Sequence, residues 1–230
     1  MMATSKRGAA KRPAKRAAKK TTKRATVRAA AKLDLYAQHA SEYVMPREPQ
    51  FISVGRANYL AIEGKGPPAT PAFTEAIGAL YSVAYTIKMA HKFAGTEYKV
   101  TALEALWWVE LPHTELLTTP RDRWHWQLLI RVPEFVTPGE VARAGASLAA
   151  KGKGDAVKHV RRISLTEGKC VQVLHVGGYD AEAPTIGRMR AHTELHGMRF
   201  RGMHHEIYLS NPGRVASDRL RTILRMPIGR

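Results

Sequence analysis

Apolar and polar positions along the chain predict alternating strands and helices. Strand patterns cover Phe51–Ile62, Lys99–Glu110, Trp124–Val132, Lys169–Val176, Phe200–Leu209 and Arg221–Ile228. Helical spacing runs from Phe73 to Phe93, with Phe73, Ile77, Leu80, Ala84 and Ile87 near one face. Two further helices are predicted over Thr137–Lys151, starting at Thr137 or Pro138, and over Glu182–His196. Glu63-Gly-Lys-Gly-Pro-Pro68 and Lys151-Gly-Lys-Gly154 read as turns, and Leu33–Pro49 as a polar lead-in.

One strand carries an acid where a sheet expects none. Side chains alternate faces along a strand, so Glu206 and Tyr208 share one face while Ile207 and Leu209 share the other. If the Ile and Leu face packs into a core, the carboxylate needs water, a cation or a donor on its own side. A pocket answers that need; so does a salt bridge or a solvated outer face.

Short segments recur. Leu60-Ala-Ile-Glu-Gly-Lys-Gly-Pro-Pro68 and Leu174-His-Val-Gly-Gly-Tyr-Asp-Ala-Glu-Ala-Pro184 each run into a helix, and Leu128-Leu-Ile-Arg-Val-Pro133 resembles Thr222-Ile-Leu-Arg-Met-Pro227. Laying Leu106–Pro112 over Glu206–Pro212 sets Trp108 opposite Tyr208. The expected fold is therefore α+β, with two tandem β-α-β-β repeats forming a pseudo-symmetric sheet and a ligand cleft between the halves.

Charge changes the picture only at one end. Of the 37 Lys and Arg that give the formal net charge of +18, 12 lie in residues 1–32, which hold no acid. A segment of Lys, Arg, Ala and Thr with almost no large apolar residue has too little surface to bury, so residues 1–32 are expected to form a disordered tail and residues 33–230 the folded domain. The tail has the composition of an arm that neutralises phosphates without reading sequence, of a solvated extension, or of an organellar transit peptide. No apolar stretch approaches the ~20 residues of a membrane span, and Cys170 is the only cysteine. A cytoplasmic protein without membrane attachment or disulfide is expected.

Candidate chemistry is sparse. Trp107 and Trp108 are adjacent in a strand and point to opposite faces. Trp108, Tyr208 and Tyr179 are candidate walls for a planar ligand, with Glu206 as the charged group; core packing is the alternative for each aromatic. Met189 lines the pocket or the core. Asp180 and Glu182 open a helix and read as its cap and its acidic first turn. His192 and His196 have i,i+4 spacing without the His-Glu-x-x-His pattern, and His204 and His205 diverge in a strand, so neither metal nor cofactor is expected. There is no Gly-x-Ser-x-Gly elbow and no phosphate loop.

Taken as a string, Lys32-Leu-Asp-Leu-Tyr36, Tyr59-Leu-Ala-Ile-Glu-Gly64, Leu103-Glu-Ala-Leu-Trp-Trp108, His175-Val-Gly-Gly-Tyr-Asp180, Gly202-Met-His-His-Glu-Ile-Tyr-Leu-Ser210 and Ile223-Leu-Arg-Met-Pro227 resemble the GyrI-like small-molecule-binding proteins. The chain is most similar to their stand-alone branch of cyclopropanoid hydrolases, over residues 32–230. The resemblance implies two β-α-β-β repeats around a cleft for bulky aromatic ligands. It implies Glu206 as the pocket acid, activating water, with Tyr179 or Tyr208 polarising the ligand. Trp108, Tyr208, Trp107 and Met189 are then the expected ligand-binding residues. The expected activity is detoxification of cyclopropane-bearing genotoxins. The alternatives are a non-catalytic sensor or sequestering protein for aromatic cations, and a DNA- or gyrase-associated protein acting through residues 1–32.

Overall fold

A computed structural model describes residues 1–2, 32–110 and 116–230. The expected disordered tail lies, from residue 3 to residue 31, outside the described residues. In chain order the elements are α1 (Leu35–Gln38), β1 (Gln50–Lys65), α2 (Pro71–Phe93), β2 (Glu104–Trp108), β3 (His125–Val132), α3 (Pro138–Ala150), β4 (Arg161–Val176), α4 (Ala183–Leu195), β5 (Arg199–Phe200), β6 (His204–Tyr208) and β7 (Arg221–Gly229).

The strands follow the order β4-β1-β3-β2-β6-β7-β5, and β4 also pairs with β7, so the antiparallel sheet closes on itself into a barrel-like ring. Each face then has its own task. The outer face of β1 and β3 carries Leu60, Ile62, Leu128 and Ile130, which pack with Leu80, Val83 and Ile87 of α2. The outer face of β4 and β7 carries Val171, Val173, Leu224 and Met226, which pack with Ile186 and Met189 of α4. Between these two helix-covered regions, β2 pairs with β6, bringing the two halves of the chain edge to edge.

Helix starts follow local chemistry. The Thr70 hydroxyl accepts from the Phe73 amide and Pro71 occupies the first turn of α2. Thr137 and Glu140 form a reciprocal capping box on α3, at the start the sequence predicts. The strands depart more from expectation. β4 begins at Arg161, eight residues before the predicted start at Lys169, because Arg161, Arg162 and Glu167 hide a strand whose apolar partners are Ile163 and Leu165. At Gly168, with φ of 71°, the strand changes which parity faces inward: Ile163 and Leu165 lie on the interior before it, and Cys170 and Gln172 after it. The predicted strand Phe200–Leu209 is broken at Gly202, whose φ is 73°, and both pieces pair with β7.

Leu33–Pro49 is more than a lead-in. Glu42 and Tyr43 are buried and reach the ring interior, where they meet a charged cluster contributed by five strands. His205 places Nδ1 at 2.9 Å from Glu167 and Nε2 at 3.0 Å from Glu104. Arg225 donates to Glu167 at 2.7 Å and to the Gln172 side-chain amide oxygen Oε1 at 2.7 Å. Arg131 donates to Glu42 at 2.6 Å, and the Tyr43 hydroxyl donates to Glu104 at 3.2 Å. Three acids and three bases thus share one dry interior, each with hydrogen-bonding partners, the condition under which buried charge is tolerated. Despite desolvation, the two flanking carboxylates raise the His205 pKa to about 9. The same His205 and Arg225 overcome desolvation at Glu167 and lower its carboxyl to about 2.

Candidate functional site

The site lies on the outer face of the β2–β6 pair. His204 stands opposite Trp107 and Glu206 opposite Ala105, and the period of two sends His204, Glu206, Tyr208 and Trp107 outward together. His205 and Ile207 point inward, to the charged cluster and to Tyr43 and Ile223. With α2 on one flank and the start of α4 on the other, this face floors a cavity of about 670 Å³. That volume suits a drug-sized ligand. Its aromatic walls are Phe73, Tyr81, Trp107, Trp124, Tyr179 and Tyr208.

The walls brace one another. Trp126 lies over Gly64, where a Cβ would come within 2.1 Å of the indole ring, so only glycine leaves room for it. Phe73 meets Trp126 edge-on at 5.2 Å and stacks on Trp107 at 5.6 Å. Trp107 Nε1 donates to the Tyr208 hydroxyl at 3.3 Å, and that hydroxyl hydrogen-bonds Glu206. Tyr179 meets Tyr208 edge-on at 5.6 Å. A backing of packed rings therefore fixes the position of a single carboxylate.

Glu206 has company that the sequence reading assigned elsewhere. Asp180 was expected to cap the helix and Glu182 to stand in its acidic first turn; instead Asp180 pairs with Arg121 at the cavity mouth, and Glu182 occupies the N-cap position of α4 without a capping hydrogen bond and turns its buried side chain into the cavity. Burial, and then the facing charge of Glu206, push the Glu182 carboxyl well above the ordinary carboxylate range. Burial and the same two acids also raise the Tyr179 hydroxyl. His204 is buried beside them, with Nε2 at 3.4 Å from Glu206. One ligand atom from each of Glu182, His204 and Glu206 lies within 4.8 Å of the others. The histidines weighed from spacing behave differently: His192 and His196 lie by Phe51 on α4, with ring centroids 4.6 Å apart.

Of the expected residues, Glu206, Tyr208, Tyr179 and Trp107 meet in the cavity. Trp108 does not: it stacks on His125 at 5.5 Å and packs with Tyr59, Leu106 and Leu129 on the opposite face. The overlay of Trp108 on Tyr208 fails because the register sets Trp107 across from His204. Met189 belongs to the core between α4 and the sheet, 1% exposed, with Ile186 one turn earlier taking the lining position.

The GyrI-like small-molecule-binding domain matches residues 128–228. Over a longer span, an uncharacterized conserved protein from Listeria innocua is 32% identical, with 86% of this chain and 100% of that one covered and a TM-score of 0.78. The chain belongs to the GyrI-like family. A Listeria innocua protein described as a hydrolase is 31% identical over the same shares of the two chains, with a TM-score of 0.76. The EcmrR C-terminal domain, 12% identical with a TM-score of 0.53 over 81% of this chain and 99% of its own, shares the fold alone. None of the curated proteins matches in sequence. The GyrI-like family model describes a small-molecule-binding domain. Among the described residues no helix is long and apolar enough to cross a membrane.

Proposed function

We propose that this GyrI-like protein binds a planar aromatic small molecule in the β2–β6 cavity and adds water across a strained cyclopropane of that ligand. The observation that carries the reading is the close pairing of two buried carboxyl groups, Glu182 and Glu206, inside one aromatic-walled cavity, with burial and the charge of Glu206 pushing the Glu182 carboxyl upward. Two carboxyl groups held in opposite roles are what concerted acid–base work requires. The 31% identity to a protein described as a hydrolase supports the same reading.

In a cyclopropane conjugated to a dienone, water attacks the ring methylene and a C–O bond forms as the strained C–C bond breaks. The released electron pair moves into the dienone, which becomes an aromatic phenolate. Glu206 takes the proton from the attacking water, and Glu182 supplies one to the phenolate oxygen. Proton exchange with solvent restores both acids, so the net change is addition of one water. Tyr208, oriented by Trp107, holds the Glu206 carboxylate, and the walls hold the ligand in line.

Incubating the protein with a cyclopropanoid alkylator and following the mass of the compound tests this. A product heavier by one water, formed over many turnovers, is the expected result; a stoichiometric complex with unchanged ligand would overturn hydrolysis and leave the binding reading. That second reading, sequestering or sensing of aromatic cations, is favoured by a carboxylate set among aromatic faces.

Two further parts belong to the proposal. The halves are diverged copies of one β-α-β-β unit, supported by matching pairings, β1–β3 with β2–β3 against β4–β7 with β6–β7. Superposing the halves tests it, and strands falling out of order would sink it. Residues 1–32 also hold the domain near DNA through phosphate contacts. Affinity for duplex DNA should then fall steeply between 50 and 200 mM salt, by roughly the 10³-fold or more of several released counterions. A chain lacking residues 1–31 should lose that affinity and keep turnover; salt-independent DNA binding would refute the role.

A further inference from the structure

The cavity floor contains an arrangement that ligand hydrolysis alone does not explain. His204 is 4% exposed and Glu182 5% exposed, and His204 Nε2 and Glu182 Oε1 are both buried without a hydrogen-bond partner. Each buried polar atom left without a partner costs about 1–3 kcal/mol. One ligand atom from each of these two side chains lies with a carboxylate oxygen of Glu206 in a set no wider than 4.8 Å. Arg121, the one Lys or Arg of the cavity lining among the described residues, is paired with Asp180.

We propose that Glu182, His204 and Glu206 form a binding site for a divalent transition-metal cation of the Zn²⁺ class. One imidazole nitrogen and two carboxylate oxygens are a donor set for zinc, manganese or ferrous iron, whereas Mg²⁺ and Ca²⁺ take six or more oxygens. Bonds of about 2.0–2.2 Å around a tetrahedral ion place neighbouring ligand atoms about 3.3–3.6 Å apart. His204 Nε2 and Glu206 Oε1, at 3.4 Å, already meet that spacing. The third ligand closes on them by rotation of the Glu182 side chain.

Three protein ligands leave a fourth position facing the cavity, the open geometry of a site that exchanges water for another ligand. The supporting shell is present too: the Tyr208 hydroxyl bonds Glu206 and is itself fixed by Trp107, the kind of outer contact that orients a metal-binding carboxylate. The site stands on these three residues whether or not the cavity hydrolyses its ligand. An ion there and an organic cation on Glu206 exclude one another, because both need the same oxygen.

Titrating the chelator-stripped full chain with ZnCl₂ alone, by calorimetry, tests the assignment. One Zn²⁺ per chain is expected, bound at least 100-fold more tightly than Mg²⁺. Glu182→Gln and His204→Ala should each weaken it at least tenfold, while a His192→Ala/His196→Ala variant on the α4 surface should bind as wild type. Glu182→Gln keeps side-chain shape, and its melting temperature checks that lost binding is not lost folding. Absence of tight zinc binding, or binding that survives both cavity substitutions and disappears with His192 and His196, would overturn the proposal.

Discussion

Replacing Glu206 by Gln is expected to lower turnover of a cyclopropanoid ligand by about 10²–10⁴-fold, the usual contribution of a positioned general base, while ligand affinity changes far less. The amide keeps the shape and still offers an oxygen to the Tyr208 hydroxyl, so the ring-braced wall survives. What disappears is the ability to accept a proton from water. A Gln variant that turned over at the wild-type rate would remove Glu206 from the mechanism. Trp107→Ala and Trp108→Ala sharpen the result, since the two neighbours point to opposite faces. Losing Trp107 removes a wall and the donor that holds Tyr208, and should weaken ligand binding by an order of magnitude or more. Trp108 packs against His125 on the far side, and its loss should register as stability rather than affinity.

The second large effect is in the ring interior. Glu167→Gln leaves Arg225 and His205 buried without the carboxylate that meets both, and breaking a buried pair in this way costs about 3–5 kcal/mol. At about 2–4 °C of melting temperature per kcal/mol for a domain of this size, a drop of roughly 10 °C is expected. Asp155→Ala, which breaks an exposed pair with Lys158, should leave the melting curve nearly unmoved. The same cluster sets a pH window. Glu167 is lowered from 4.5 to about 2, so its contribution is complete above 4.5 and fades as pH falls toward 2. His205 is raised from 6.5 to about 9, so its contribution is complete below 6.5 and fades as pH rises through 9. Melting temperature should therefore be highest between those limits and fall on both sides. A flat profile from pH 5 to 9.5 would contradict a charged His205.

What could be read from the chain divides along the range of the interactions involved. Period-two alternation was enough to put Glu206 and Tyr208 on one face, and Thr137 with Pro138 marked a helix start from two residues of sequence. The choice between Trp107 and Trp108 needed the β2–β6 register, a pairing of residues about a hundred positions apart. Glu182 looked like a first-turn acid because such acids usually are; only the packing of α4 against the sheet turns it inward. The interior cluster left no local trace at all. Its members, from Glu42 to Arg225, are scattered along the chain with no shared spacing, and β4 was shortened in the reading by the charged residues that serve it.

Closure of the ring by β4 and β7 has a consequence for life in a crowded cell. An open sheet ends in strands whose unpaired amides and carbonyls invite another chain to add on, and proteins spend charges, prolines and bulges to discourage it. Here β1 pairs with β3 over Asn58–Lys65 and β4 with β7 over Cys170–Val176, so among the described residues these two long strands keep open edge only at Gln50–Ala57 and at Arg161–Lys169, a stretch that carries Arg161, Arg162, Glu167 and Lys169. A larger exposure falls in time: until Arg161–Val176 has found both Gln50–Lys65 and Arg221–Gly229, three long strands wait with open sides. Aggregation, where it occurs, should begin from that unclosed species during synthesis or refolding, and variants that slow closure should lower soluble yield before they lower the melting temperature.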